Sequence, residues 1–401
     1  MEKQNSVSNL SFDNTEIAFK HLSDRELKKS YWLFRTISNR LLSRIGPFLT
    51  KTALFLKLPV SNLIKSTLFK QFCGGETISE CTPVILRLFA NRVGTILDYS
   101  VEGADEEIVF DHTAQQIIKS INKAVEMPDA VPFCVFKLSG LARFSLLQKI
   151  SEKIKLHAFE EREWQKVLDR VDLICKTASE FYQPVMIDAE ESWIQDVIDE
   201  VDIIMMAKYN KQRPIVFNTY QLYRTDKLNS LIADLTLAET QSFILGAKLV
   251  RGAYLEKERN RAFEKGYPSP IHLNKQATDR DFDAAVSFCL DNVATIAFVV
   301  ATHNQFSCQF LVEKMEQQQI ANNHPHIYFA QLLGMSDNIS FNLASYGFNV
   351  AKYVPFGPVK KVLPYLFRRA QENTAIAGQM SRELNLISRE LKRRRLVKEV
   401  H

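Results

Sequence analysis

No apolar stretch in this chain approaches the roughly 18–20 consecutive residues that a bilayer-spanning helix needs. The longest candidates, Ile203–Ala207 and Ile296–Ala301, suit buried elements instead. Cysteine is scarce. The six residues Cys73, Cys81, Cys134, Cys175, Cys289 and Cys308 form no C-x-x-C pair and no metal-ligand cluster. That spacing excludes a zinc site, and the apolar contexts predict core thiols in a reducing compartment. A strong charge of one sign is also missing. The net charge is +5 over 401 residues, much of the excess lies in Lys392–Arg395, and no nucleic-acid partner is expected. The amino-terminal stretch carries Glu2, Asp13 and Glu16, unlike a signal peptide or an acid-poor transit peptide, so an intracellular location is expected. Short-period repeats and low-complexity segments are absent.

What is present is an ordinary globular composition, 46% hydrophobic and 24% charged, in a chain long enough for one large domain and a smaller piece. Eight short apolar runs end in polar or charged residues: Thr95–Glu102, Phe133–Ser139, Pro184–Glu190, Pro214–Gln221, Phe243–Tyr254, Ile296–Asn304, Ile327–Gly334 and Asn349–Gly357. Helical periodicity follows each one, as in Val167, Val171, Ile174 and Cys175. This alternation is the rhythm of a (β/α)₈ TIM-like barrel, which gathers its functional groups at the carboxyl ends of the strands. Residues 1–93 read as an N-terminal helical arm, 94–378 as the barrel and 379–401 as a basic C-terminal helix or tail. Within the arm, Asn14–Lys29 reads as one amphipathic helix, and Tyr31–Phe55 breaks at Gly46-Pro47. The long polar insertion Glu256–Asp281 reads as a loop on the catalytic side.

Several strand ends and the last helix could carry chemistry. Lys137 would place an ammonium at the mouth, able to bind a carboxylate or act as a Schiff-base amine; a snorkelling lysine is the plain alternative. Asp188 reads as a helix N-cap with Glu191 at the capping-box position, or as a carboxylate facing Lys137 and the arginines, and one residue can do both. Lys248-Leu-Val-Arg251-Gly252-Ala253-Tyr254 carries two cations into a turn of small residues, where backbone amides can approach a phosphate or pyrophosphate. Thr302, His303 and Asn304 offer hydroxyl, imidazole and amide at another strand end, and Tyr353 holds a phenol over the mouth. In Tyr365-x-x-Arg368-Arg369-x-x-Glu372, the adjacent arginines point about 100° apart. Both reach one anion only if the last helix lies across the barrel mouth. A solvated face with Glu372 pairing either arginine explains the same spacing.

Taken together these motifs resemble the proline dehydrogenases, the flavin-dependent enzymes that open proline catabolism. The matching residues run in the family's order over 94–378: Lys137-Leu-Ser, Asp188-Ala-Glu-Glu, Tyr220-Gln221-x-Tyr223, Leu249-Val-Arg-Gly-Ala-Tyr254, Ala301-Thr-His-Asn304, Leu333-Gly-Met335, Tyr353-x-Pro-x-Gly357 and Tyr365-x-x-Arg-Arg-x-x-Glu-Asn373. The resemblance implies a distorted barrel with its last helix over the mouth, holding FAD non-covalently. It places Ala189, Gln221, Lys248, Val250, Arg251, Gly252, Ala253, Thr302 and His303 at the flavin, with Glu372 touching cofactor or fixing the arginines. Lys137, Arg368 and Arg369 would clamp the carboxylate of L-proline, and Leu332, Tyr353 and Tyr365 would pack on its ring. Asp188, orienting Lys137, and Lys248 form the expected catalytic set. Lys248 departs from the arginine often found at its position, keeping the charge but losing the bidentate fork.

The resemblance further implies Δ1-pyrroline-5-carboxylate as product and a membrane quinone as electron acceptor. It suggests a cytoplasmic protein, peripheral on the inner face of the cytoplasmic membrane through its arm or basic tail. A separate pyrroline-5-carboxylate dehydrogenase is expected downstream. Two rival readings are a barrel lyase or aldolase using a Schiff-base lysine, and a non-catalytic helical interaction protein.

Overall fold

All eight apolar runs fold as strands: β1 (Gly94–Tyr99), β2 (Phe133–Lys137), β3 (Val185–Asp188), β4 (Val216–Gln221), β5 (Leu245–Val250), β6 (Ile296–Ala301), β7 (Ile327–Leu332) and β8 (Val350–Phe356). They close into one barrel in chain order. The computed structural model describes residues 10–37, 64–100, 105–375 and 379–396. Strands covered on both faces read as continuous apolar runs rather than alternating ones. Accordingly, every residue of β4 is buried, including the polar Asn218, Thr219 and Gln221.

The helices are α1 (Thr15–Phe19), α2 (Asp24–Ile37), α3 (Ile78–Phe89), α4 (Glu107–Glu126), α5 (Phe144–Ser151), α6 (Ala158–Glu180), α7 (Ser192–Tyr209), α8 (Lys227–Gln241), α9 (Leu255–Lys265), α10 (Lys275–Asp291), α11 (Gln305–Gln317), α12 (Asp337–Ser345), α13 (Val359–Ala375) and α14 (Gln379–Arg393), with a π-helical turn at Lys65–Phe69. Two expectations need correction. The single helix predicted over Asn14–Lys29 is split into α1 and α2, because Ser23 and Glu26 cap the second start reciprocally. The supposed loop Glu256–Asp281 contains α9 and the first turns of α10. Two helices, α5 and α6, lie between β2 and β3. The predicted break at Gly46-Pro47 lies outside the described residues. Among the described residues, no helix is long and apolar enough to cross a membrane. All six cysteines are buried free thiols.

The chain divides into two compact units, Ile96–Ala330 and Met1–Thr95 with Gln331–His401. In the first, Phe133 of β2 meets Phe217 of β4 and Tyr328 of β7 edge-to-face, with ring centroids 5.4 and 4.9 Å apart. Each such pair adds about 0.5–1.5 kcal/mol beyond area burial. Rings from non-adjacent strands can meet only inside the cylinder, so they fix which side chains point inward.

In the second unit, α1, α2, α13 and α14 share an apolar core that includes Phe19, Leu27, Phe34, Leu366, Leu386 and Ile387. Buried charges pin this core. Lys352 of β8, fully buried, pairs with Asp337 at 2.8 Å and donates to the Met335 carbonyl. Glu383 of α14 accepts the Ser336 N–H at the start of α12. Two of the tail's arginines, Arg393 and Arg394, bond the buried carboxylate of Glu390, and Arg394 also reaches the Phe19 and Leu22 carbonyls.

Burial, with Asp337 nearby, pushes the Glu383 carboxyl up to about 7 from its ordinary 4.5. Between those values the folded state keeps a proton that the unfolded chain has released, so stability falls as pH rises across the window, by roughly 3 kcal/mol for this group. Glu383→Gln is expected to flatten that slope, measured as denaturation midpoints at pH 5 and pH 8. An unchanged slope would remove Glu383 from the account.

Candidate active site

Lys137, Asp188 and Lys248 come together above the aromatic layer. Lys137 closes β2, two turns of the pleat beyond Phe133 and on the same inward face, and its register partner is Asp188 at the end of β3. Thr219 of β4, in phase with Phe217, is the register partner of Lys248 on β5. The Lys248 ammonium bonds Asp188 Oδ1 across the interior, skipping over β4. Lys248 has a side-chain exposure of 4% and Asp188 of 19%, so this pair is largely withdrawn from solvent. The N-cap role expected of Asp188 does not hold. Glu191 stands at the N-cap of α7, and Asp188 is still in the strand, its carboxylate committed to Lys248.

A second carboxylate, not singled out from the sequence, joins this group. Glu190 is buried and accepts both the N–H of Ser139, at 2.9 Å, and its hydroxyl. Its own backbone is held at both ends: its N–H donates to Gln195 Oε1 and its carbonyl accepts from Gln221 Nε2, each at 2.7 Å. Burial pushes its carboxyl up to about 7, against the pull of Lys137 and the Ser139 donors. The signal available in the sequence was the second acid of Asp188-Ala-Glu-Glu, which the capping-box reading passed over.

The ends of β5 and β6 form a donor-rich corner. Arg251 donates to Asp279 at 2.8 Å, Thr302 Oγ1 at 2.7 Å and Ser307 Oγ at 2.9 Å, with its guanidinium over the Phe282 ring. Asp279 is held below its ordinary value: burial opposes this, but Lys275 and Arg251 outweigh it. Gly252 sits at φ +131°, where a Cβ would lie 2.5 Å from the Tyr223 ring. Glycine is needed there on both counts. Ala253 beside it is exposed, while Val250, Ala189 and His303 are half-buried at neighbouring strand ends.

In the other unit, Leu332 ends β7, and the following Leu333 N–H donates to the Tyr353 carbonyl of β8 at 2.9 Å, which brings those two predicted residues together. Tyr353 and Tyr365 are buried, and Arg368 is half-buried on α13. Arg369 and Glu372 lie on the backbone of α13, but their side chains fall outside the described residues.

The family described as proline dehydrogenase matches residues 81–382 of this chain. The chain is 33% identical over 385 residues to proline dehydrogenase 1, mitochondrial, of Dictyostelium discoideum, across 84% of this chain and 67% of that protein. It is 40% identical over 238 residues to the Homo sapiens protein of the same name, across 59% of this chain and 40% of that one. The carbapenem antibiotics biosynthesis protein CarD of Pectobacterium carotovorum subsp. carotovorum is 31% identical over 381 residues, across 94% of this chain and 96% of that protein. Among solved structures, proline utilization A (PutA) from Bdellovibrio bacteriovorus, inactivated by N-propargylglycine, shares the fold with a TM-score of 0.71 at 18% identity. That likeness covers 94% of this chain and 40% of the solved one.

Removing one partner of a buried ion pair leaves a stranded charge and costs about 3–5 kcal/mol. Asp188→Ala is therefore expected to destabilise the protein by that order in urea denaturation. The double variant Asp188→Leu with Lys248→Met should recover most of the loss. Additive losses in the double variant would show that the two side chains do not act as a pair.

Proposed function

The chain belongs to the proline dehydrogenase family, and we propose that it oxidises L-proline to Δ1-pyrroline-5-carboxylate with non-covalently held FAD, the electrons passing on to a membrane quinone. The observation that carries this reading is the buried Asp188–Lys248 pair beside Lys137, next to the donor-rich strand ends of β4 to β6. These residues fit FAD. The Gly252 turn admits close backbone approach, and Gln221, Arg251, Thr302 and His303 supply donors suited to a polyanion carrying a heterocycle. When bound, FAD supplies the two-electron acceptor.

The chain's own residues bind, orient and tune. Lys137, Arg368 and Arg369 hold the substrate carboxylate, with Glu372 steadying the arginines, while Leu332, Tyr353 and Tyr365 pack on the pyrrolidine ring. Fixing the ring in one pose contributes much of the acceleration. Three cations around the substrate disfavour a charged ammonium, lower its pKa and help the amine lose its proton. Lys248, steadied by Asp188, keeps a positive charge that favours negative charge building up on the reduced cofactor.

Under this reading the protein is cytoplasmic and meets the inner face of the membrane peripherally, handing its product to a separate pyrroline-5-carboxylate dehydrogenase. With Arg393 and Arg394 committed to Glu390, the tail would offer an anionic lipid surface the exposed Lys392 and Arg395. The near end-to-end match to the carbapenem biosynthesis protein favours a second setting, in which the same oxidation serves a biosynthetic route. Growth of a deletion strain on proline as sole nitrogen source separates the two.

Purified protein is expected to be yellow and to bleach on anaerobic addition of L-proline. Colourless protein that forms a borohydride-trapped substrate adduct would instead support a Schiff-base lysine. A hydrogen bond to a charged group contributes about 1.5–3 kcal/mol, so Arg368→Met should raise KM for proline roughly 10–150-fold while the flavin stays bound. Unchanged proline kinetics would mean that Arg368 is not part of the clamp.

A further inference from the structure

We infer that Glu190 is a positioning residue for the substrate carboxylate, acting through Lys137: its carboxylate both anchors the turn after β2 and, when ionised, offsets the charge that Lys137 presents. This deepens the proposed function and rests on it. The geometry comes first. Glu190 ties together three strand ends. Its carboxylate takes the N–H and hydroxyl of Ser139, two residues beyond Lys137. Its carbonyl takes Gln221 from β4. Its N–H is fixed by Gln195 of α7, whose amide in turn donates to Asp199 at 2.9 Å.

The charges facing Glu190 can be named element by element. Lys137 approaches from β2 and stabilises its ionised form. Asp188, two residues earlier, is committed to Lys248 of β5. Glu191, which opposes ionisation of Glu190, is paired with Lys257 of α9. Lys137 is therefore the cation that Glu190 acts on. Burial brings its titration to about 7, inside the range where an enzyme is assayed. Below that pH, Lys137 faces the substrate with its charge less opposed. Above it, a buried anion competes with the substrate carboxylate for the same ammonium.

Three variants separate this role from mere scaffolding. Glu190→Gln keeps acceptor and donor groups for the Ser139 turn and removes the charge. The ratio of wild-type KM to Glu190→Gln KM for L-proline should be near one at pH 6 and rise about threefold or more by pH 8, with kcat changed less. Glu190→Ala releases the turn and should raise KM about tenfold at every pH. Ser139→Ala removes a donor that favours the ionised carboxylate, so the inflection should move to higher pH.

The second readout needs no turnover. The backbone amide resonance of Ser139 should titrate near pH 7 in the wild type and not in Glu190→Gln. A KM ratio that stays flat from pH 6 to pH 8, or a Ser139 amide that does not titrate, would overturn the inference. A titrating amide in a protein that neither binds flavin nor responds to proline would uphold the Glu190–Ser139 linkage and sink the proposed function instead.

Discussion

A single ion pair, Asp188 with Lys248, ties the carboxyl ends of β3 and β5 together across β4. Withdrawing two charges from water costs several kcal/mol each, and their mutual attraction returns that only when the geometry is good. Here the strand register supplies the geometry. Phe133, Phe217 and Tyr328 fill the interior below, and the pleat then turns Lys137, Asp188 and Lys248 onto the same inward side. Apolar residues of similar volume could fill that layer with comparable stability, so the pair is better explained by its field and position than by its contribution to folding. It holds a cation at a fixed point in a medium where charge is felt strongly.

Around that point the remaining charges alternate. Glu190 stands next to Lys137, Glu191 next to Lys257, and Glu258 of α9 accepts the N–H and hydroxyl of Ser192, each at 2.6 Å, at the first turn of α7. The last contact is an N-terminal cap supplied by a distant segment, favourable for the helix dipole and its unpaired amides. It also explains why the insertion after β5 is a docked helix and not a loose loop. Its charged residues look solvent-directed in sequence, yet Glu258 is fully buried. A long polar stretch therefore became structure through a handful of directed bonds, which composition does not reveal.

The strands were legible because burial on both faces writes an unbroken apolar run, and their polar endings marked where each strand stops. Helices α4 and α6 begin on polar turns, as at Glu107, Glu160 and Glu161, where apolar periodicity does not mark the start. At the site, residue types at strand ends were recoverable, but their partners were not. The Asp188–Lys248 pair joins residues 60 apart in sequence and Ser139–Glu190 joins residues 51 apart. Only the register of the folded barrel connects them. Local spacing pointed Asp188 toward a helix cap, and tertiary pairing overrode it.

The lysine at position 248, where the family resemblance implies an arginine, follows from its surroundings. Its register neighbours are Thr219 on β4 and Val299 on β6. The Thr219 hydroxyl already donates to the Ile187 carbonyl at 2.7 Å, and Val299 has no polar side chain. A guanidinium brings five N–H donors in a rigid plane, and at a position with 4% side-chain exposure each would need an acceptor. An ammonium brings three donors on a flexible stem and can centre on Asp188. The substitution therefore keeps the positive charge at the barrel mouth while giving up the fork. At that position the chain supplies a point charge paired with Asp188, while the directed donors lie at the neighbouring strand ends, on Arg251 and Thr302.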